Sequence, residues 1–262
     1  RLALTAANQG LFDLNIQTGE AVTSPEYAKM LGYDPATFNE TNQKWIERLH
    51  PDDREPIAAT YRAYIAGEIP DYRIEFRQRT QTEEWKWILS LGKIVEYDAA
   101  GQPLRMLGTH TDITAQKTAE AERNLLVRAI EQSSETIMIT DVEGKIQYVN
   151  PAFEMITGYS KQEAIGKTPR LSKSGKHDKA FYKEMWETIS SGHPWQGQII
   201  NRTKDGRIYI EEARISPVKN HHGTISHYVA VKHDVSERIR LEEEGEKLRS
   251  QLHQAQKMEA VG

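Results

Sequence analysis

The sequence predicts an α+β fold made of two similar domains in tandem, joined and followed by long helices. Two internal repeats support this prediction: "SPEYAKMLGY" (24–33) resembles "NPAFEMITGY" (150–159), and "AAGQPLRMLGTHTDIT" (99–114) resembles "NHHGTISHYVAVKHDVS" (220–236). Repeats at a nearly constant separation are the signature of duplicated domains. Each copy places strand-like segments before and after helical ones, which is typical of an antiparallel sheet with its helices on one face.

Composition narrows the class of protein. The 262 residues are enough for two domains of ordinary size, and 38% hydrophobic with 27% charged residues is typical of a folded globular chain. A net charge of −4 gives no electrostatic reason to expect a nucleic-acid partner. The chain has no membrane-length apolar run and no signal peptide at its start, so we expect a cytoplasmic location. The absence of cysteine excludes disulfides and thiolate-bound metals.

Each copy begins with a predicted hairpin followed by a short helix. Glycine in the turns "QTGE" and "VEGK" favours tight hairpins. Ser24 and Asn150 each precede a proline, which predicts an N-cap and a first helical residue. The helix that follows is predicted to end at Gly32 in the first copy and at Gly158 in the second.

Further strands complete each copy. The segment "YRIEFRQR" (72–79) alternates apolar and charged residues, as a half-buried strand does. Asp205-Gly206 in "NRTKDGRIYI" predicts a hairpin between two strands. The segment "ISHYVAVKHDV" (225–235) is predicted to be the last strand of the second copy.

These segments resemble the PAS sensor family over nearly the whole chain. The matching pieces are "SPEYAKMLGYDPATF", "WIERLHPDDR" and "GTHTDIT" in the first copy, and "YVNPAFEMITGY", "NRTKDGRIY" and "HDVSER" in the second. The resemblance implies a five-stranded antiparallel sheet curled around a small-ligand cavity, and sensing rather than catalysis. It places one PAS domain at 1–114 and the other at 134–236.

Two helical segments accompany the domains, a linker at 115–133 and a C-terminal helix at 237–262. Each carries one narrow face at heptad-like spacing, which favours a parallel homodimeric coiled coil. The alternative is an amphipathic helix packed on its own domain. The residues of these faces are Ala119, Leu126, Ile130 and Ser133 in the linker, and Leu241, Leu248, Leu252 and Ala255 after the second domain, where Gly245 weakens the helix.

The last residues, "QKMEAVG" (256–262), resemble the start of the dimerisation helix of sensor histidine kinases. In that family the phospho-accepting histidine lies further along the helix, here beyond Gly262. His253 precedes the segment and is not followed by the acidic residue that the family uses. The resemblance implies a non-catalytic sensor region of a two-component histidine kinase, whose missing kinase core would act on a response regulator. A sensor for another effector, such as a cyclase, and a ligand-free PAS dimerisation or interaction module remain alternatives.

Trp186, Asn201 and Glu211 are the predicted ligand-binding residues. Hairpin geometry can place Asn201 and Glu211 on the same cavity face, where a heterocycle with imide edges would satisfy them. The second copy resembles flavin-binding PAS domains of the redox type typified by NifL, so FAD or FMN is predicted there, against an empty or otherwise filled pocket. Met138 and Pro169 stand where the redox members carry polar groups. Pro169 also replaces the cysteine of the light-sensing branch, which excludes a cysteinyl photoadduct.

Asp112 and Asp234 are predicted to couple each sheet to the helix that follows it. They lie in "TDIT" and "HDVS", at positions that PAS sensors use for this coupling. An aspartate there can also cap the helix N-terminus, and that role alone is the alternative.

Three other patterns are predicted to be structural. The segment "SGKHD" (174–178) lacks the Ser or Thr of a phosphate-binding loop and is interpreted as a polar loop. The histidines of the second copy show no helical i, i+4 pair, so no metal or haem site is predicted. Trp85, Trp87 and Leu89 share one strand face and are interpreted as core or sheet-surface packing.

Overall fold

The computed structural model describes residues 9–259, which form two compact units divided at residues 123 and 124. The predicted contacts of Ala255, the C-terminal part of "QKMEAVG" and the first eight residues lie outside what it describes. In the first unit, the strands are β1 (Gln9–Asn15), β2 (Glu20–Thr23), β3 (Glu40–Thr41), β4 (Tyr72–Arg79), β5 (Trp85–Tyr97) and β6 (Pro103–Asp112). The helices are α1 (Pro25–Met30), α2 (Asn42–Glu47), α3 (Pro51–Ile65) and α4 (Thr114–Glu131), the last of which spans the division.

The first unit is an antiparallel sheet in the order β3-β2-β1-β6-β5-β4. Five strands were expected, and the sixth is the two-residue β3, which is too short to show a period-two pattern in the sequence. The central strand approaches α1 very closely at Gly10, where a Cβ atom would lie 2.5 Å from the Tyr27 Cα. This contact lets Tyr27 and Leu31 pack with Phe76 and Ile88 in the core.

The second unit repeats this plan with a sheet in the order β8-β7-β11-β10-β9. Its strands are β7 (Thr136–Asp141), β8 (Ile146–Val149), β9 (Trp195–Arg202), β10 (Ile208–Lys219) and β11 (Ile225–Asp234). Its helices are α5 (Pro151–Thr157), α6 (Lys161–Ala164), a 3-10 turn (Pro169–Ser172), α7 (Lys179–Ser190) and α8 (Ser236–Glu259). The predicted hairpins, last strand and α+β class are therefore confirmed.

Asn150 ties the start of the second unit together. Its Oδ1 accepts from the N–H groups of Ile137 (2.9 Å) and Phe153 (3.3 Å), while its Nδ2 donates to the Glu135 carbonyl at 2.8 Å. The predicted cap therefore also anchors β7. Ser24 occupies the matching position but makes no cap bond, because its Oγ accepts from the Leu11 N–H at 3.1 Å.

The long helices α4 and α8 leave apolar side chains exposed. Leu126 is 65% exposed on α4, and Leu241 and Leu248 are 56% and 65% exposed on α8. The alternative that α4 buries an apolar face on its own domain is not supported, since α4 has no buried residue. No helix in the described part of the chain is both long and apolar enough to cross a membrane.

His110 is buried in the first unit among aromatic rings. Its ring centroid lies 5.0 Å from those of Phe12 and Tyr27 and 5.4 Å from that of Phe76. Burial lowers the pKa of His110 to about 3, because removal from bulk water disfavours the charged imidazolium.

The stability of the first unit should therefore depend on His110 and pH. The unfolded chain binds a proton near pH 6.5 and the folded chain only near pH 3, so stability is complete above pH 6.5 and falls as the pH decreases. Between pH 7 and pH 5 we expect a loss of about 2 kcal/mol of unfolding free energy from this group. Urea unfolding with hydrogen exchange on β6 peptides measures it. His110→Gln should flatten this dependence, whereas His50→Gln, at a side chain that is 21% exposed, should not. An unchanged slope in His110→Gln would contradict the assignment.

Candidate functional site

The second unit contains a cavity of about 860 Å³ between the inner face of its sheet and α7. Cavities of 300–1,000 Å³ hold organic cofactors and drug-sized ligands. Most of the wall is apolar, and its main contributors from the strands and α7 are Met138, Trp186, Ile189, Ile199, Tyr228 and Ala230. The period-two alternation of β9 and β11 turns Ile199, Tyr228 and Ala230 inward, as the burial of alternate residues shows.

Polar groups converge at one side of this apolar cavity. Asn201 on β9 and Lys232 on β11 both line it. The Asn201 Nδ2 donates to Glu211 Oε1 at 2.7 Å, and the Lys232 Nζ donates to the same oxygen at 2.6 Å. Glu211 lies on β10 between the two strands and does not itself line the cavity. Three neighbouring strands thus contribute one amide, one carboxylate and one ammonium to a single network.

The Lys232–Glu211 ion pair is almost completely buried. Only 7% of the Lys232 side chain and 3% of the Glu211 side chain are exposed. Two charges out of water are tolerated only when they are paired and hydrogen-bonded, and here the Asn201 amide supplies the additional bond. The cavity therefore presents fixed donors on an otherwise apolar wall.

The sequence predicted both Asn201 and Glu211 on the cavity face and did not include Lys232; Asn201 lines the cavity, whereas Glu211 lies behind it. A signal was present: Tyr228, Ala230 and Lys232 alternate along β11, so a lysine had to follow two buried residues on the same face. A charged residue at a buried strand position requires a partner, and register places Lys232 opposite Ala213, two residues from Glu211.

Trp186 reaches the cavity from α7. Its ring meets the Tyr228 ring edge-on at 5.7 Å, and its Cη2 lies within 2.9 Å of the Cβ position of Gly144 in the β7–β8 turn. Gly144 has a φ of 80°. A side chain there would be strained and would collide with the indole. The indole thus packs against both the turn and the sheet, with one part facing the cavity.

The cavity opening is rich in positive charge. The charged residues at its rim are Arg170, Lys173, Lys179 and Lys183, against the single carboxylate Glu143. Met138 and Pro169 also line the cavity and give it apolar surface at the positions noted in the sequence. This distribution favours a ligand with a flat apolar part inside and an anionic part outside.

Asp112 and Asp234 each lie two residues before the first residue of the helix that follows. The Asp112 Oδ1 accepts from the Thr114 N–H and the Asp234 Oδ1 from the Ser236 N–H, each at 2.9 Å. Asp112 also accepts from the Lys86 Nζ at 2.8 Å, which links the start of α4 to β5. Neither aspartate is the N-cap itself, because the carbonyls of Ile113 and Val235 accept the first helical bonds. Each aspartate instead fixes the turn that leads into the first residue of its helix.

The cavity found in the described part of the first unit is small, about 50 Å³. It is lined by residues including Tyr27, Glu40, Trp45 and His110. The Glu40 carboxylate is already bound by the Arg48 guanidinium and by the Tyr27 hydroxyl. A space this small holds a few water molecules and is far below the size of an organic cofactor. Trp85, Trp87 and Leu89 do not line this cavity.

Within residues 9–259, no three His, Asp or Glu side chains come together in a way that could hold a metal ion. The His221 and His222 rings lie 3.8 Å apart in the exposed turn between β10 and β11. The second-unit cavity is larger than that of the first unit and combines an apolar wall with a positively charged rim, so it is the best candidate site among the described residues.

Comparison with known proteins agrees with this organisation. Two family models, both described as the PAS fold, match residues 20–110 and 124–235. A nitrogen fixation regulatory protein of Klebsiella pneumoniae is 40% identical over 119 residues, which are 45% of this chain and 24% of that protein. Hybrid signal transduction histidine kinase L of Dictyostelium discoideum is 33% identical over 135 residues, 51% of this chain and 8% of that protein.

One similar solved structure is that of a sensory box histidine kinase/response regulator from Burkholderia thailandensis. It is 32% identical, covers 50% of this chain and 97% of that one, and has a TM-score of 0.45. The chain thus spans less than a quarter of the length of the two curated relatives.

The buried ion pair allows a direct test by mutation. Lys232→Met should cost about 3–5 kcal/mol of unfolding free energy, because it leaves the buried Glu211 carboxylate without its cation. The double variant Lys232→Met/Glu211→Leu should recover most of that loss, since no charge is then buried. Arg238→Met breaks the exposed pair with Glu212 and should cost less than about 1 kcal/mol.

Urea unfolding followed by hydrogen exchange on β10 and β11 measures all three variants. Equal losses in Lys232→Met and Arg238→Met would show that the buried pair is not the source of stability that its geometry indicates.

Proposed function

Since the chain consists of two PAS domains in tandem, sensor domains of signalling proteins, we propose that it is the cytoplasmic sensor region of a two-component histidine kinase, detecting a small ligand or redox state through flavin in its second domain. The observation that carries the flavin proposal is the 860 Å³ apolar cavity with the Asn201–Glu211–Lys232 network on its wall. The kinase assignment rests on the resemblance of "QKMEAVG" to kinase dimerisation helices and on the related histidine kinase of Dictyostelium discoideum.

The residues of the cavity fit a flavin in three respects. An isoalloxazine ring has two broad apolar faces, which suit walls such as Trp186 and Ile199. Its pyrimidine end alternates carbonyl and N–H groups, which suit the Asn201 amide and the Lys232 ammonium. The phosphate of FMN or FAD suits the lysines and arginine of the rim. A bound flavin would supply the redox or light-absorbing chemistry, and the chain's residues would hold and orient it.

The first domain has a different role in this proposal. Its 50 Å³ cavity has no space for a flavin, so its contribution is structural or depends on a much smaller ligand. A flavin would therefore bind in the second domain and not in the first, which binding measurements can test.

Asn201→Ala should weaken flavin binding by about 1–3 kcal/mol, or roughly 5- to 150-fold, since it removes one hydrogen bond and leaves a polar ring edge unpaired. The bound fraction is measured from the flavin absorption bands of the purified protein and from quenching of FMN or FAD fluorescence in titrations. Gln198→Ala is the matched control, because Gln198 lies on the same strand with its side chain exposed.

Two outcomes would count against this assignment. Equal flavin retention in Asn201→Ala and Gln198→Ala would remove Asn201 from the site. A wild-type protein that has no flavin bands and binds neither FMN nor FAD would leave the ligand-free dimerisation module as the better function.

We also propose that the chain acts as a parallel homodimer joined through α8. Leu241, Leu248 and Leu252 are all more than half exposed, and they follow alternating spacings of seven and four residues. Among the described residues, the side-chain bonds between α8 and its own domain come from the first residues of the helix, where Arg238 bonds to Glu212 and Ser236 to Ile210. A helix with this much unburied leucine is stabilised by a second copy.

Leu248→Asp should shift the protein from dimer to monomer, because it places a charge in the apolar face that a second helix would cover. Ser250→Asp, two residues along on the same helix, should leave the dimer intact. Light scattering coupled to size-exclusion chromatography across a concentration series gives the mass directly. If Leu248→Asp and wild type have the same mass, α8 is not the dimer interface.

In this proposal the signal leaves through Asp234. A ligand or redox change would shift the sheet, and Asp234 would pass this shift to α8, which leads toward the kinase core and its response regulator. A ligand can bias output only by its difference in binding free energy between the two states. Asp112 would play the matching role before α4, where its bond to Lys86 connects the start of this helix to β5.

A further inference from the structure

The free edge of β9 is covered by the loop of residues 173–178, called the edge loop below. β9 is the last strand in the sheet order, so its outward N–H and C=O groups have no partner strand. The edge loop supplies hydrogen-bond partners to Ile200 instead. The Ile200 N–H donates to the His177 Nε2 at 2.9 Å, and the Ile200 carbonyl accepts from the Ser174 Oγ. Lys173 and Asn201 form a bridge of the antiparallel type.

The His177 bond requires a neutral imidazole. Because Ile200 donates its backbone N–H, the His177 Nε2 must carry a lone pair and no proton. The ring is held for this bond by stacking on Phe181, with a centroid distance of 3.9 Å and an interplanar angle of 17°. A protonated His177 would point an N–H at another N–H and lose the bond.

This edge belongs to the ligand cavity. Asn201, the residue after Ile200, lines the cavity, and so does Lys173 at the start of the edge loop. The bond from Ile200 to His177 thus fixes the strand position directly before the Asn201 amide. The same bond holds the loop that carries Lys173 to the rim.

We infer that His177 is a positioning residue for the flavin site: neutral, it clamps the edge loop to β9 and holds Asn201 in its binding orientation, and protonated, it releases both. Flavin retention in the second domain would then weaken on acidification, so that the same site responds to pH as well as to its ligand. This inference rests on the proposed flavin function. Histidine is suited to the role because it changes charge between pH 5 and pH 8.

Three elements surround the imidazole. The charged groups next to it in sequence are Lys176, Asp178 and Lys179, and the Tyr182 ring on α7 lies 6.1 Å from the imidazole, centroid to centroid. Asp178 is engaged in capping α7, where its Oδ1 accepts from the Phe181 N–H at 2.8 Å. Lys173 lies over the Tyr182 ring with its Nζ 4.4 Å from the centroid. The variant His177→Gln leaves each of these groups in place, so it changes only the imidazole.

The test compares FMN and FAD affinity at pH 8 and pH 5.5 in the whole chain. In wild type, we expect affinity to fall about tenfold on acidification, the effect of losing one hydrogen bond that positions the site. His177→Gln keeps a neutral acceptor that cannot be protonated in this range, and its affinity should change less than about twofold. His177→Phe keeps the stacking but has no acceptor, so it should bind weakly at both pH values. His193→Gln, an exposed histidine outside the cavity, should behave as wild type does.

The same pH dependence in His177→Gln as in wild type would overturn the inference. Hydrogen exchange of the Ile200 amide, followed by NMR and corrected for the intrinsic effect of pH, keeps the test independent of flavin. Protection should decrease on acidification in wild type and stay constant in His177→Gln. If wild type binds no flavin at either pH, the proposed function fails, while loss of protection would still support the clamp. Constant protection in wild type would exclude the clamp even if flavin binds.

Discussion

Glu211 and Lys232 are two charges held out of water, and the geometry of the second domain keeps them together. They come from neighbouring strands, so their pairing depends on the register of β10 and β11. If either strand slipped by one residue, its side chains would turn to the opposite face of the sheet and the pair would be separated. Removing the two charges from water costs free energy, but the ion pair provides the cavity wall with fixed hydrogen-bond donors. Asn201 completes the network through the oxygen that Lys232 also uses.

The two domains show how one fold can support different interiors. In the first, His110 and Tyr27 fill the core, and the carboxylate of Glu40 is neutralised by Arg48 and Tyr27. In the second, the inner face of the sheet and α7 enclose an open space of about 860 Å³. The common backbone therefore determines the position of a cavity, and the inner side chains determine its volume and polarity.

Much of the fold was predictable because it rests on local chemistry. Asn150 followed by Pro151 is enough to predict an N-cap and a first helical residue, and Asp205-Gly206 is enough to predict a tight turn. Lys232 and His177 were not identified, because each acquires its role only from partners brought close by the fold. Ser24 illustrates the same limit. Serine is a favoured N-cap residue, yet the Ser24 hydroxyl oxygen accepts a hydrogen bond from the Leu11 N–H instead. Local patterns thus determine elements, whereas contacts between distant residues determine the site.

The central claim is that the cavity of the second domain holds a flavin on Asn201. A crystal structure of the chain saturated with FMN or FAD tests it most directly. The account predicts ring density in the second domain, with the pyrimidine edge within hydrogen-bonding distance of Asn201 and the Lys232–Glu211 pair intact. Density in the first domain, or a second-domain cavity filled only by water under saturating flavin, would contradict it.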